Sequence, residues 1–328
     1  MKKASTGFVL RIVAVVCVAV FSAAVLSYGF SVGFGIPDLF KKSDDTVREM
    51  PYIYEEEVKT LREIEVDWAN GPITLKFYDG DLIRITETAK KEIGEDEKLY
   101  LEVSGGKLSV RWNSSRLQLG LSREDAKQLE LLIPESFFET LESVQIKSVS
   151  GDIGIDGLSA EEASFEAVSG ELHLSNITAE ALRAETVSGD IFCRTVTALE
   201  EISVTSNSGN IELAGMTGGK AELDNTSGET AVEGTANILE CVSVSGNIKL
   251  DMQSWPVETI LENVSGDTEF FAPGTEEGFI CGVSTVSGDF DCGFETQKNG
   301  KLYQYGTGVN SIEITSTSGN IALHEKVG

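Results

Sequence analysis

Hydrophobic and polar residues alternate along most of the chain, and the alternation is organised around a recurring Ser-Gly pair. The glycines of these pairs are Gly151, Gly170, Gly189, Gly209, Gly228, Gly246, Gly266, Gly288 and Gly319. Successive glycines are 18 to 22 residues apart, except for the last pair, which are 31 apart. Self-similarity at a fixed period predicts a repeat architecture in which each repeat is one structural unit.

The residues on either side of each glycine show a period of two. After Gly189, the residues two and four positions on are Ile191 and Cys193, and the residues five and seven positions back are Ala184 and Leu182. The residues between them are mostly polar, which is typical of a strand with one buried face. Each repeat is therefore predicted to be a strand, a Ser-Gly turn, a second strand and a variable corner.

One such unit cannot bury its apolar face alone, but stacked units can. The predicted fold is all-β: a single-domain β-solenoid of about ten coils, each of ~19 residues and rising about 4.8 Å. It begins near Leu61, with less regular connections before residue 140 and an insertion, Gly293 to Asn310, before the final coil. Further strands are expected at Leu82–Thr86, Leu99–Val103, Leu108–Trp112 and Leu129–Ile133.

The position three residues before each glycine is occupied by small, mainly polar side chains. These are expected to stack inside the corner and to satisfy backbone groups there. They are Ser148, Ala167, Thr186, Ser206, Asn225, Ser243, Asn263, Thr285 and Ser316.

The N-terminal region has a different pattern, because residues 12–36 contain no charged side chain. About 20 apolar residues span a bilayer as a helix. Lys2, Lys3 and Arg11 would keep the N-terminus in the cytoplasm by the positive-inside rule. A cleaved signal peptide is the alternative, since the small residues at 22–24 suit a peptidase. Cys17 does not fit a lipoprotein signal, because Val16 precedes it.

These features divide the chain into three parts. Residues 1–36 are predicted to be a cytoplasmic tip and transmembrane anchor, residues 37–60 a polar stalk, and residues 61–328 the solenoid. The protein is thus expected to be a single-pass protein of the cell membrane, with its body outside the cytoplasm.

The charge distribution restricts the partners of the body. Three of the 26 Lys and Arg residues precede the first acid, Asp38, so the rest of the chain has 23 cations against 53 acids, a net charge of −30. Such a surface repels phosphate backbones and excludes nucleic-acid binding. The partners expected are the membrane, through the N-terminal helix, and an envelope protein or a glycan.

The repeat also resembles a known bacterial family. The resemblance is carried by S-V-S-G-D-I-G-I and its copies, the lead-in L-E-L-L-I-P-E-S-F-F-E-T-L-E-S-V, and the ending Y-G-T-G-V-N-S-I-E-I-T-S-T-S-G-N-I. The family is the putative-adhesin family of β-strand repeats, the domain of unknown function numbered 4097, and the resemblance covers roughly Leu61 to Leu323. It implies the solenoid fold and supplies no catalytic residues. Some members look like accessory proteins of envelope-stress systems.

The residue after each Ser-Gly pair forms a predicted row of acids and amides. One interpretation is a row of oxygen ligands for Ca²⁺, and the other is a solvated turn in which Asp and Asn favour the backbone shape. The nine-residue glycine-rich calcium repeat is absent from the sequence. No cofactor is therefore predicted, and no metal site beyond this candidate cation ladder: Asp152, Glu171, Asp190, Asp267 and Asp289.

A catalytic site is not predicted. The chain has two histidines, His173 at an outward strand position and His324 in the tail. Carboxylate pairs occur by chance among 53 acids, so their proximity does not identify a carbohydrate-cleaving site.

The cysteines of the repeats fall on inward positions and are expected to be small core residues. They are Cys193, Cys241, Cys281 and Cys292. Cys281 and Cys292 share one coil, which leaves a disulfide open as an alternative to two free thiols.

The main functional hypothesis is a non-catalytic surface or scaffold protein of the cell envelope, which binds along its solenoid faces as an adhesin does. One alternative is an accessory component of an envelope-stress signalling system. The other is a carbohydrate-active enzyme.

Overall fold

The structure, a computed structural model, describes residues 50–113 and 125–326. The expected membrane anchor, Cys17 and the first part of the expected stalk lie outside these residues. Within the described ranges, no helix is long and apolar enough to cross a membrane.

Most of the described chain is strand, and a short 3₁₀ turn lies at Glu135–Phe137. The strands are β1 (Met50–Glu56), β2 (Glu63–Asn70), β3 (Ile73–Tyr78), β4 (Ile83–Ala89), β5 (Tyr100–Ser104), β6 (Lys107–Arg111), β7 (Lys127–Pro134), β8 (Leu141–Ser150), β9 (Ile153–Ser169), β10 (Leu172–Ser188), β11 (Ile191–Ser206), β12 (Ile211–Ser227), β13 (Thr230–Ser245), β14 (Ile248–Met252), β15 (Glu258–Ser265), β16 (Thr268–Pro273), β17 (Phe279–Ser287), β18 (Phe290–Cys292), β19 (Gln297–Asn299), β20 (Leu302–Tyr305), β21 (Asn310–Ser318) and β22 (Ile321–Lys326). The all-β prediction is confirmed, and the four additional strands expected before residue 140 correspond to β4, β5, β6 and β7.

The central coils pair in parallel, each shifted by one sequence repeat. Leu172 of β10 pairs with Ile191 of β11, which in turn pairs with Ile211 of β12. This is the hydrogen-bond pattern of a β-solenoid, because every strand pairs with its counterpart in the next coil.

The variable corner was predicted to end each strand, but β9 to β12 each continue through it. The bend is made by one residue with a positive φ, six positions after the Ser-Gly glycine. Gly157, Asn176, Thr195 and Gly215 occupy this position with φ between 53° and 81°. A single left-handed residue turns the backbone while the flanking residues keep their pairing.

The inward residues form one continuous core along the solenoid axis. In a central coil, Leu182, Ala184, Ile191 and Cys193 are all 0–1% exposed. The predicted inward and outward assignments are therefore confirmed for the central coils.

At the N-terminal end, the order of coils in space differs from their order in the chain. β2 lies between β6 and β8, and β3 lies between β7 and β9. The chain therefore forms its first coil with β2 and β3. It then forms the end layer on one side of that coil with β6 and β7, and continues on the other side with β8 and β9. β5 and β4 cover the end layer in antiparallel pairing, and β1 extends the sheet beyond β4. β1 falls within the segment expected to be a stalk.

The C-terminal end repeats this arrangement. β21 lies between β15 and β17, and β22 lies between β16 and β18. The last coil of the sequence is thus inserted beneath the coil that precedes it. In space the ten corner glycines stack in the order Gly71, Gly151, Gly170, Gly189, Gly209, Gly228, Gly246, Gly266, Gly319 and Gly288.

Candidate binding surface

The Ser-Gly corner is built on close contact between glycines of successive coils. Gly189 has a φ of 155°, and a Cβ added to it would lie 2.0 Å from the carbonyl oxygen of Gly170. Its backbone N–H donates a hydrogen bond to the carbonyl oxygen of Ser208 in the next coil, at 3.0 Å. Both the backbone angle and the contact require glycine at this position.

Buried amides satisfy the backbone inside the corner. Nδ2 of Asn225 donates to the carbonyl oxygen of Gly209 at 3.1 Å, and its Oδ1 accepts the N–H of Ser227 at 3.1 Å. Nδ2 of Asn263 donates to the carbonyl oxygens of Gly246 and Gly266, at 3.2 and 3.1 Å. The predicted role of the small polar residues inside the corner is confirmed at these positions.

Outside the corner, the acids and amides that follow the glycines form a hydrogen-bonded ladder. Oδ1 of Asp190 accepts the backbone N–H of Asn210 at 2.6 Å, and Oδ1 of Asn210 accepts that of Glu229 at 2.9 Å. The same bond joins Asp152 to Glu171 at 2.9 Å. It recurs from Asn247 to Asp267, from Asp267 to Asn320 and from Asn320 to Asp289.

The ladder explains why Asp and Asn predominate there. Their short side chains place Oδ1 over the next coil's N–H, as in an Asx turn. Glu171 is longer, and its Oε2 instead lies 3.0 Å from Nε2 of His173.

The structure brings the five candidate cation ligands into this one column, with one carboxylate in each of their coils. Ca²⁺ takes six to eight oxygen ligands. In residues 50–113 and 125–326, no three His, Cys, Asp or Glu side chains are grouped to hold a metal ion. The ladder acts structurally through its Oδ1 atoms, and cation binding stays an untested alternative interpretation.

The histidines lie on the outward faces. His173 is exposed, and its ring stacks on Phe192 with 5.1 Å between ring centroids. His324 lies in β22, where its ring stacks on Phe271 at 4.4 Å and its Nε2 is buried without a hydrogen bond.

The described cysteines are free thiols, including Cys281 and Cys292, so the disulfide alternative is not realised in the structure. Burial raises the pKa of Cys193 and of Cys281 to about 12. Thiols with such raised pKa values are poor nucleophiles.

A row of hydroxyl side chains lies on the face that follows the variable corner, and the sequence analysis did not predict it. The residues pair in register from coil to coil and are exposed or half-buried. They form the hydroxyl row: Ser159, Thr178, Thr197, Thr217 and Thr235. When the repeats are aligned on their glycines, these hydroxyl residues fall seven or eight positions after the glycine. The alternation of apolar and polar residues alone does not distinguish this position from other outward positions.

The N-terminal end of the hydrophobic core includes a buried polar cluster that sequence analysis also missed. Nζ of Lys127 lies 2.7 Å from Oε1 of Glu87, and both side chains are nearly fully buried. Nζ also donates to the carbonyl oxygen of Glu97 at 2.6 Å and lies 4.2 Å from the ring centroid of Trp112. The two partners are 40 residues apart, so no local motif predicts the pair.

Several solved structures are similar to this chain at low identity. A protein described as a putative adhesin from Parabacteroides distasonis ATCC 8503 is 13% identical, with a TM-score of 0.45, covering 83% of this chain and 97% of that one. A putative adhesin from Bacteroides fragilis NCTC 9343 is 12% identical, with a TM-score of 0.40, covering 84% and 97%. A protein described as a putative lipid binding protein from Parabacteroides distasonis ATCC 8503 is 14% identical, with a TM-score of 0.39, covering 84% and 97%.

The family assignment comes from the sequence. No curated protein matches the chain. The family model described as Toastrack DUF4097 matches residues 61–324, which include the repeat, the lead-in and the final coil. The chain therefore belongs to the Toastrack DUF4097 family.

Proposed function

We propose that this protein is a non-catalytic surface protein of the cell envelope, which binds a glycan along a face of its solenoid. Residues 12–36 would anchor it in the cell membrane, with the body outside the cytoplasm. The family assignment supports a non-enzymatic role.

The hydroxyl row is the observation that carries this proposal. Thr178 pairs with Thr197, and Thr197 pairs with Thr217, so hydroxyl groups recur about every 4.8 Å along a rigid sheet. Each hydroxyl both donates and accepts hydrogen bonds. A polymer with hydroxyl groups along its length can contact several rungs at once, and such linked contacts increase the total affinity.

The environment of the row suits a neutral polymer better than an anionic one. Glu180 and Glu200 follow Thr178 and Thr197 by two and three residues and are exposed, and Leu199 next to Glu200 is 71% exposed. An apolar side chain next to hydroxyl groups matches the mixed surface of a sugar ring, whereas the acids repel anions.

The geometry gives no support to the carbohydrate-cleaving alternative. A catalytic site requires one place where particular groups differ from their surroundings, whereas the hydroxyl row repeats the same chemistry in successive coils. On another face, a hydrogen bond from Lys107 lowers the pKa of Glu65, which is opposite to the raised pKa of a general acid.

The binding test uses the full chain and purified cell-wall glycan in a sedimentation assay. Replacing Thr178, Thr197 and Thr217 together by valine keeps the shape and strand preference but removes three hydroxyl groups. Binding is expected to weaken about tenfold or more. The matched control replaces Thr74, Thr205 and Thr315 on the other outward faces and should bind as the unchanged chain does. Equal binding by both triple variants would refute the role of the row.

The location is tested on intact cells. Added protease should digest the body, whereas a tag placed before Lys2 should survive until the cells are opened. If the glycan does not bind and crosslinking in cells instead joins the body to a membrane-embedded signalling protein, the envelope-stress alternative replaces this proposal.

A further inference from the structure

The two ends of the solenoid are finished differently. At the N-terminal end, β5 pairs with β6, and β4 pairs with β7, so hairpin strands cover the end layer. At the other end, the β19–β20 hairpin covers only Phe279–Gly282 of β17, through β20. The remainder of the terminal coil, Val283–Cys292, has a paired neighbour on one side only, in β21 and β22. We call this segment the terminal edge.

The inward positions of the terminal edge are open. In the neighbouring coil, Ile314, Ser316 and Ile321 are 1–2% exposed. Their counterparts at the terminal edge are Val283 and Phe290, which are half-buried, and Thr285, which is exposed. Val286, on the outward side of this edge, is 78% exposed. The inward apolar side chains of Val283 and Phe290 are therefore left at an open mouth.

The backbone of the terminal edge presents unused hydrogen-bonding groups. The carbonyl oxygens of Ser287 and Asp289 face the neighbouring coil, because they accept the N–H groups of Gly319 and Ile321, at 3.1 and 2.9 Å. Adjacent residues of a regular strand point their N–H and C=O groups to opposite sides, so the N–H of Phe290 points outward. In the inner coils, the carbonyl oxygen of Thr186 accepts the N–H of Asn207 in the next coil at 3.1 Å. Thr285 occupies the position of Thr186, so its N–H and C=O also point outward, and the described part of the chain supplies no strand to meet them.

The outer ladder also ends at this edge. In the inner coils, an Asp or Asn Oδ1 accepts the N–H of the next coil, as between Asp267 and Asn320 at 2.7 Å. The N–H of Asp289 donates to Oδ1 of Asn320 at 3.2 Å, but no described coil follows Asp289. Its carboxylate is placed to accept the N–H of one further strand.

We propose that the terminal edge binds an extended basic segment of another protein by strand addition. The incoming strand would hydrogen-bond to the outward groups of Thr285 and Phe290 and place apolar side chains over the open mouth. Its basic residues would face Asp289 and Asp291, the only charged residues of the terminal coil. A second copy of this chain is disfavoured, since two bodies of net charge −30 repel each other. This site is separate from the hydroxyl row and does not depend on it.

The test measures binding of a fluorescent peptide of about eight alternating lysine and valine residues to the full chain in detergent. Thr285→Pro removes an outward N–H at an exposed edge position, where proline is tolerated, and should weaken binding about tenfold or more. Thr285→Ala keeps the N–H and should bind within about twofold of the unchanged chain. No binding to the unchanged chain, or equal binding by Thr285→Pro, would overturn the proposal.

Hydrogen exchange of the unchanged chain provides a readout that does not depend on how the variants fold. Bound peptide should slow exchange at Thr285 and Phe290 and leave β10 to β12 unaffected. Unaltered exchange at the edge would reject strand addition. Equal binding of a glutamate-valine peptide would reject the basic partner. Self-association of the unchanged chain that Thr285→Pro abolishes would assign the edge to a second copy instead.

Discussion

Individual residues at the corners show how the repeat limits the choice of side chain. The glycine of each Ser-Gly pair is required twice, by its φ and by its contact with the carbonyl of the adjacent coil. The next residue is restricted by length, since Asp190 and Asn210 reach the N–H of the following coil and Glu171 does not. The recurrence of glycine could be read from the sequence. The function of Asp190 could not, because a calcium ligand and a capping oxygen require the same side chain.

Thr195 has a conformation that is unfavourable for its side chain. It adopts a φ of 53° at the variable corner, where Gly157 and Gly215 occupy the equivalent positions. A β-branched residue in the left-handed region costs of order 1–3 kcal/mol, and glycine costs about 0.5–1 kcal/mol in backbone entropy. We expect Thr195→Gly to raise the free energy of unfolding by about 1 kcal/mol in urea titrations.

The same exchange two residues later serves as the control. Thr197 lies in the regular part of β11, so Thr197→Gly should lower the free energy of unfolding by about 0.5–1 kcal/mol. If both variants are destabilised equally, the strain at Thr195 is not real.

The buried pair of Lys127 and Glu87 gives a larger expected effect. Glu87 is fully buried and accepts hydrogen bonds from Lys127 and from the N–H of Leu99 at 3.0 Å. Burial and the nearby Glu87 carboxylate raise the pKa of Tyr54. Lys127→Met should reduce the free energy of unfolding by about 3–5 kcal/mol, because it leaves a buried carboxylate without its cation.

The double variant Lys127→Met with Glu87→Leu tests whether the loss comes from the unpaired charge. It should be more stable than Lys127→Met alone, since an apolar pair can replace a buried ion pair at little cost. A double variant as unstable as the single one would show that packing around Trp112, not charge, is responsible.

At the scale of strands, the sequence predicted the elements better than their order. The alternation fixed the inward residues of the repeated strands and located β4 to β7. It could not place β21 between β15 and β17, because each coil offers similar apolar rows to any neighbour. The order in which the coils stack is decided by the connections between them, such as the β19–β20 hairpin. The path of these connections in space has no periodic pattern in the sequence.

The insertion of the last coil makes its removal informative. Without residues 310–328, β17 loses its parallel partner β21 and keeps only the short pairing with β20. We expect hydrogen exchange in Phe279–Ser287 to accelerate, while β10 to β12 keep their protection, because each coil contacts only its neighbours. Retained protection of Phe279–Ser287 would mean that β17 can pair directly with β15.

At the scale of the whole molecule, net charge opposes the compact state. The solenoid stacks outward side chains about 4.8 Å apart, well within the Debye length of ~10 Å at 0.1 M salt. With a formal charge of −27, like charges meet along several rows. Raising NaCl from about 10 to about 200 mM should therefore raise the midpoint of thermal unfolding. The increase should shrink near pH 4, where carboxyl groups are half protonated.

The corner ladder allows charge to be removed without loss of its hydrogen bonds. Asparagine keeps Oδ1, as Asn210 and Asn247 show, so replacing Asp152, Asp190, Asp267 and Asp289 by asparagine should preserve the coils. The variant should respond less to NaCl than the unchanged chain. CaCl₂ at matched ionic strength separates screening from binding, since a bound ion adds stability that grows with its concentration. If Ca²⁺ adds nothing beyond NaCl, the ladder is a backbone cap alone. A Ca²⁺ increment that the asparagine variant lacks would establish the carboxylates as its ligands.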